Sequence, residues 1–314
     1  MTTLADTARS ADVRAPAYRD LPQWQSRSPS ADGRGALMRG RHRAGEPSLH
    51  FVHGNGLSGG VYWPFLAPLS EGYGLITQDL EGHGESDPVP GFGGAAHLTA
   101  RLLDNLEALR GNAGAVIGVG HSYGAALSLC MAALQPQRFS ALVLLDPILM
   151  PLRTWLASWA AARLGLHPLA KGTRRRRHVW PDRDSVLRHL RGRGVYAGWD
   201  EAALAAFADE ALRPTDAGLE LSCAREMEAS IYESPILPRR RMHTITVPVL
   251  VISGDRSYPF MPASVAGLQR ANPRVQAQRV SGGHCFMLER PQQTAERVRA
   301  FLAASGLSPE VGPA

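Results

Sequence analysis

The stretch from Ala115 to Gln135 limits the possible folds more than any other part of the chain. The run Ala115-Val116-Ile117-Gly118-Val119 leads into Gly120-His121-Ser122-Tyr123-Gly124. Tyr123 to Gln135 is then apolar nearly all round and stops before Pro136. A continuous apolar run suits a strand buried on both faces, and a helix that is apolar all round must be buried too. The glycines flanking Ser122 let strand and helix approach without a Cβ clash. Such a sharp strand–turn–helix lifts a serine hydroxyl to the end of a sheet. A helix N-terminus behind it favours developing negative charge.

The same alternation extends along the chain. Ser48–Val52, Gly74–Leu80, Ala141–Leu145, Val249–Ile252 and Arg274–Val280 read as further strands, bounded by Gly, Asp and Pro. Ala95–Arg110 carries Leu98, Leu102, Leu106 and Leu109 at helical spacing, with Gly111 as its stop. Pro291–Ser305 opens on proline and carries Val298, Phe301 and Leu302 on one face. Strand and helix in alternation predict an α/β fold, a mostly parallel sheet flanked by helices. The residues from Trp24 to Arg43 give a weak signal for an opening hairpin.

The alternation breaks between about 149 and 238. This segment reads as helical, with Trp155 and Trp159 four apart and an Asp200-capped helix carrying Leu204, Phe207, Ala211 and Leu212 up to Pro214. Ser222 to Tyr232 is a further helical candidate. The expected organisation is a flexible tail over 1–25, a core built from 26–148 and 239–306, a helical cap over 149–238, and a short C-terminal tail over 307–314.

Composition excludes several classes. With 44% hydrophobic and 20% charged residues the chain is ordinary for a globular protein and unlike a disordered one. No stretch reaches the roughly 20 apolar residues of a membrane span. Met1 to Gly45 lacks the apolar run of a secretory signal, so a cytoplasmic location is expected. The net charge of +6 is almost all arginine, Lys171 being the only lysine. Apart from Arg174–Arg177 the basic residues are scattered, with no aromatic-interleaved stripe, so no nucleic-acid partner is expected. Cys130, Cys223 and Cys285 form no CxxC or metal pattern and read as reduced thiols.

A serine is a weak nucleophile and needs a base. His284, in Ser281-Gly282-Gly283-His284, lies between the last strand and the last helix, where glycines can aim an imidazole across the sheet. The imidazole in turn needs an acidic acceptor to fix its tautomer. Two aspartates follow strands: Asp255 in Ser253-Gly254-Asp255, and Asp146 in Asp146-Pro147. Asp255 precedes His284 by one strand–helix unit and is the expected acceptor. Asp146 is the alternative, and would otherwise cap the entry to the insertion or line the site. Cys285 beside His284 lacks a turn and base of its own and reads as packing. No HExxH, P-loop or GxGxxG stands out, so neither metal nor cofactor is implied.

On these residues the chain resembles the α/β-hydrolase superfamily, over about Ser48–Pro147 and Thr246–Ser305. The resemblance implies an oxyanion hole formed by the backbone N–H of Tyr123 and an N–H from His53-Gly54-Asn55-Gly56, with Asn55 the expected donor. Gly82-His83-Gly84-Glu85-Ser86 is similar to a structural turn of the same superfamily. Serine rather than aspartate at position 122 departs from haloalkane dehalogenases and epoxide hydrolases, and suits acyl transfer. The expected activity is hydrolysis of a small-molecule carboxylic ester through an acyl-enzyme. C–C bond hydrolysis of the meta-cleavage type, lactonase and haloperoxidase-like chemistry use the same three residues. A non-catalytic ligand-binding protein on this fold is the alternative from another class. His53, Gly54, His121, Trp155 and Phe286 are candidate pocket residues, with core packing as the competing reading. Arg174–Arg177 reads as a solvated face rather than an anion site.

Overall fold

The computed structural model describes residues 17–27, 35–111, 113–236 and 244–309. Eight strands form one sheet in the order β1-β2-β4-β3-β5-β6-β10-β11. They are β1 (Gln23–Arg27), β2 (Leu37–Arg43), β3 (Ser48–Val52), β4 (Gly74–Gln78), β5 (Val116–His121), β6 (Phe139–Leu145), β10 (Val249–Gly254) and β11 (Val275–Val280). The first two strands pair antiparallel, β2 joins β4 antiparallel, and the other six run parallel. The expected α/β architecture is therefore present, opening hairpin included.

Period-two geometry explains why the strands read as unbroken apolar runs. Successive side chains leave a strand on opposite faces. Ala141, Val143 and Leu145 pack with Phe51, Val119 and Ile252 on one face. Leu142 and Leu144 pack with Val52, Val116 and Val251 on the other. Helices α1 (Trp63–Ser70) and α11 (Pro291–Ala304) cover the first face, through Leu66, Val298 and Phe301. Helices α2 (Ala95–Arg110), α3 (Tyr123–Leu134) and α9 (Met261–Ala271) cover the second, through Leu102, Leu127 and Leu268. With both faces buried, no polar alternation survives in the sequence.

The expected flexible tail over 1–25 does not hold for residues 17–25, which pack onto the fold. Residues 1–16 lie outside the described residues. Tyr18, Leu21 and Trp24 are buried, and the Trp24 indole N–H donates to the Thr77 carbonyl at 3.0 Å. At the other end Leu307 packs against the core.

The inserted segment is not wholly helical. It carries α4 (Leu152–Arg163), α5 (Pro168–Arg175), α6 (Arg183–Leu190), α7 (Glu201–Glu210) and α8 (Arg225–Tyr232). It also carries a three-stranded antiparallel sheet of β7 (Val179–Trp180), β8 (Leu212–Thr215) and β9 (Gly218–Leu221). Strands of two to four residues are too short to show a period. Leu212 extends the apolar stripe of α7 but belongs to β8, and Gly218, at φ +114°, turns the chain back. Leu204 and Phe207 of α7 join the α1 side of the main core. The elements left over the sheet's carboxyl end are α4, α5 and α8. The expected upper boundary of the insertion, at 238, falls on residues outside those described.

Buried histidines make the fold sensitive to acid. His50, His53, His83 and His121 are fully enclosed. Burial holds His50 and His83 down to about 4 and His53 to about 3, and lowers His121 as well. The unfolded chain protonates all four below about 6.5 while the folded chain resists, so stability is lost as pH falls from 6.5 through 4. Asp79 acts in the opposite sense, because burial pushes its carboxyl up to about 7 and it keeps a proton that the unfolded chain has released. Burial raises the Glu210 and Glu228 carboxyls too, so these act with Asp79, and the slope toward lower stability in acid is what the four histidines leave after the three acids are set against them. Urea unfolding at several pH values between 5 and 7 measures this slope, and a flat profile would contradict it.

Candidate active site

The sheet changes winding direction at β3 and β5. From β3 the chain passes to β4 on one side; from β5 it passes to β6 on the other. Loops after adjacent strands then leave in opposite directions and open a crevice at the carboxyl ends. The loop after β3 is His53-Gly54-Asn55-Gly56, and the turn after β5 is Ser122.

Ser122 sits at φ +56°, a left-handed conformation unusual for a residue with a Cβ. The glycines around it are needed for close approach. A Cβ on Gly124 would run into the Val52 and His53 carbonyls, and one on Gly120 into the backbone of Gly124 and Ala125. A Cβ on Gly54 would meet the His121 ring and the Ser122 side chain. Tyr123 is the first residue of α3, so its N–H has no acceptor within its own helix. Asn55, Ser122 and Tyr123 border the same cavity.

His284 reaches this point from the loop after β11. Its Nε2 lies 2.9 Å from Ser122 Oγ. Its Nδ1 lies 2.5 Å from Oδ2 of Asp146, whose side chain is fully buried. Because an ionised carboxylate can only accept, Nδ1 carries the proton and Nε2 presents a lone pair to the serine hydroxyl. Asp146 is held from two further sides. The Gly254 N–H donates to Oδ1 at 3.0 Å, and the Ser257 hydroxyl donates to Oδ2. Tyr258 packs edge-on against the imidazole, its ring centre 4.8 Å away.

The expected acceptor, Asp255, is elsewhere. It is partly exposed, accepts the Gly282 N–H at 2.9 Å and pairs with Arg256. The hydrogen bond from Gly282 holds its carboxyl below the usual range. It thus ties down the loop carrying His284 without touching the imidazole. Strand register gives the reason. His121 pairs with Leu145, so Ser122 and Asp146 stand side by side, one residue past their strands. Leu145 pairs with Ile252, so Asp146 is level with Ser253, and Asp255 lies two residues, about 7 Å, further along.

Several candidate pocket residues also lie elsewhere. His53 is buried beneath the loop, its Nδ1–H on the Gly54 carbonyl and its Nε2 accepting the Leu80 N–H. Phe286 opens the one-turn helix α10 (Phe286–Glu289) and belongs to the core. Trp155 donates its indole N–H to the Pro235 carbonyl and does not line the cavity. His121 is enclosed, but it joins two parts of the site. The Gly54 N–H donates to the Tyr62 hydroxyl, which must then donate to His121 Nδ1, at 2.6 Å. His121 Nε2–H donates in turn to the His284 carbonyl at 3.0 Å. Tyr62 sits in a short helical turn and carried no sequence signal. Burial raises the Cys285 thiol well above its ordinary value, so this cysteine is packing.

Above Ser122 lies a cavity of about 440 Å³. Its walls are apolar in the main, with Ile148, Met150, Ala161, Ile231, Tyr258 and Phe260 among them. The Arg174–Arg177 run does not reach it. Arg174 pairs with Glu226 and Glu233, and Arg176 with Glu228, whose carbonyl accepts the Asn55 side-chain N–H at 3.0 Å.

The chain matches the alpha/beta hydrolase family over residues 51–297. It is 28% identical over 271 residues to 2-(acetamidomethylene)succinate hydrolase of Mesorhizobium japonicum, covering 84% of this chain and 91% of that one. It is 28% identical over 277 residues to pimeloyl-[acyl-carrier protein] methyl ester esterase of Xanthomonas campestris, covering 82% and 96%. Among solved structures, E-2-(acetamidomethylene)succinate hydrolase superposes with a TM-score of 0.73 at 23% identity, covering 90% and 100% of the two chains. The enol-lactonase of Burkholderia xenovorans superposes with a TM-score of 0.61 at 22% identity, covering 86% and 98%. A sheet whose winding reverses between β3 and β5, matched over most of the chain, places this protein in the alpha/beta hydrolase family, as an enzyme of that fold.

Proposed function

We propose that the protein hydrolyses carboxylic esters with an apolar acyl or alcohol portion, through an acyl-enzyme on Ser122. The observation that carries this reading is the unbroken contact from Ser122 Oγ to His284 Nε2 and from His284 Nδ1 to Asp146, on the floor of an apolar cavity. Ser122 Oγ attacks the carbonyl carbon as its proton passes to His284 Nε2. The N–H groups of Asn55 and Tyr123 hold the oxyanion. Collapse expels the alcohol, which takes the proton from His284. Water then attacks the acyl-enzyme, its proton going to His284 and on to Ser122 as the acid leaves. Asp146 keeps the imidazole in the required tautomer and stabilises its charged form. Relatives named as hydrolase and methyl ester esterase support hydrolysis, and ester cleavage in particular.

A panel of p-nitrophenyl esters of increasing acyl length, with a lactone and a dienone added, tests the reading. Turnover of the esters is expected to outpace the dienone and to favour uncharged acyl groups. Preference for the dienone would overturn it.

The Gly54–Tyr62–His121–His284 chain makes a second expectation. Tyr62→Phe leaves the Gly54 N–H and His121 Nδ1 unpaired in the interior, a cost of about 1–3 kcal/mol. Both the oxyanion loop and the histidine loop lose an anchor. Neither Tyr62 nor His121 borders the cavity. The kcat should fall about tenfold, the equivalent of about 1.4 kcal/mol, with KM nearly unchanged. Steady-state kinetics check this; a rise in KM at constant kcat would contradict it.

A further inference from the structure

The outer face of the cap is apolar where a soluble surface would be polar. On α4, Thr154, Ala157, Ser158 and Ala161 line the cavity. Leu152, Leu156, Trp159 and Arg163, spaced i, i+4, i+7 and i+11, share the opposite stripe. Leu152 is 47% exposed, Leu156 48% and Trp159 43%, and no residue of α4 is buried. Leu164, Leu166 and Leu169 continue the exposed apolar surface into α5. Leu169 also borders the cavity, so this surface runs to the cavity's rim.

Charge on the same segment is one-sided. Between Asp146 and Asp182 there is no Asp or Glu, but there are Arg153, Arg163, Lys171 and Arg174 to Arg177. Arg174 and Arg176 are neutralised by Glu226 and Glu228 of α8 and by Glu233 just after it. Arg153, Arg163, Lys171 and Arg175 are exposed and make no ion pair among the described residues. Arg163 lies over the Trp159 ring, 5.4 Å from its centre.

From this we infer that the α4–α5 face of the cap docks on an anionic lipid surface, bringing the cavity rim to the interface. Leucines and a tryptophan flanked by unpaired cations, with no acid on their own segment, match an interfacial anchor. Apolar contact supplies part of the binding and attraction to anionic headgroups the rest. No helix among the described residues is long and apolar enough to cross a membrane, so docking is peripheral. The inference extends the proposed ester hydrolysis by naming where the ester is met: an amphiphilic substrate would enter the apolar cavity from the lipid side.

The test is co-sedimentation of the full chain with vesicles of equimolar phosphatidylglycerol and phosphatidylcholine, alongside phosphatidylcholine alone. Binding is expected to the anionic vesicles, weakened by high salt. It should drop about tenfold in Leu156→Ser/Trp159→Ser and similarly in Arg153→Ser/Arg163→Ser/Lys171→Ser. Both variants should keep wild-type turnover of a water-soluble acetate ester, which shows that they fold. The inference is overturned by absent binding to anionic vesicles, or by binding that both variants retain. It is also overturned if the face instead binds an acyl-carrier protein, or pairs two copies in sedimentation velocity, without vesicle binding. Absence of soluble-ester turnover in the wild-type protein would count against the proposed chemistry and leave the docking result readable.

Discussion

Ser122→Ala should lower turnover of an activated ester by about 10⁶-fold, to a rate near that left by substrate binding and oxyanion contacts alone. The replacement removes one oxygen and leaves the turn otherwise intact, because alanine tolerates φ +56° no worse than serine does. Far-ultraviolet circular dichroism should be unchanged. The size of the loss follows from how the groups act. In the proposed mechanism His284 and Asp146 assist only by moving a proton off this hydroxyl, so without it they contribute nothing. Stopped assays with a p-nitrophenyl ester measure the effect. A residual rate within a factor of ten of the wild type would mean that another group attacks the carbonyl.

Asp146→Asn should cost about 10⁴-fold in kcat, while Asp255→Asn costs less than about tenfold. The two aspartates each follow a strand, and only one meets the imidazole. An asparagine at 146 would turn either its oxygen or its NH₂ toward His284 Nδ1. The NH₂ would favour the tautomer that points a proton at Ser122, and a neutral oxygen would no longer stabilise the imidazolium. With its oxygen kept on the Gly254 N–H, the amide places its NH₂ where Oδ2 stood, donating to the Ser257 hydroxyl and to His284 Nδ1 and so imposing that unproductive tautomer. Asp255→Asn keeps an oxygen for the Gly282 N–H and changes only how firmly the histidine loop is tied. Parallel kcat measurements on the two variants decide between the acids. The reverse ranking would return the role to Asp255.

The confusion of these two residues marks the limit of what the chain reveals before it folds. Strands β3, β5, β6 and β10 were legible because apolar runs between Gly, Asp and Pro have few other uses. The meeting of Ser122 and His284 was legible because a serine between glycines at a strand–helix turn, and a histidine after glycines beyond the last strand, carry their positions with them. Which aspartate meets the imidazole was not, since that rests on register between neighbouring strands. That register is set by pairing across the sheet and has no local signature. Counting from strand ends holds the missing signal: β5 and β6 are neighbours and stop one residue before Ser122 and Asp146. The hidden strands of the insertion and the Tyr62–His121 link escaped for the same reason. Each depends on partners distant in sequence, and a two-residue strand or a buried tyrosine in a short turn resembles many others.

The most direct check is covalent. Incubation of the wild-type protein with a fluorophosphonate, followed by intact-mass and peptide mapping, should give one phosphonyl adduct, on Ser122. Ser122→Ala should take up none, and Asp146→Asn should react far more slowly than Asp255→Asn. An adduct on another residue, or undiminished labelling of Ser122→Ala, would show that the nucleophile lies elsewhere.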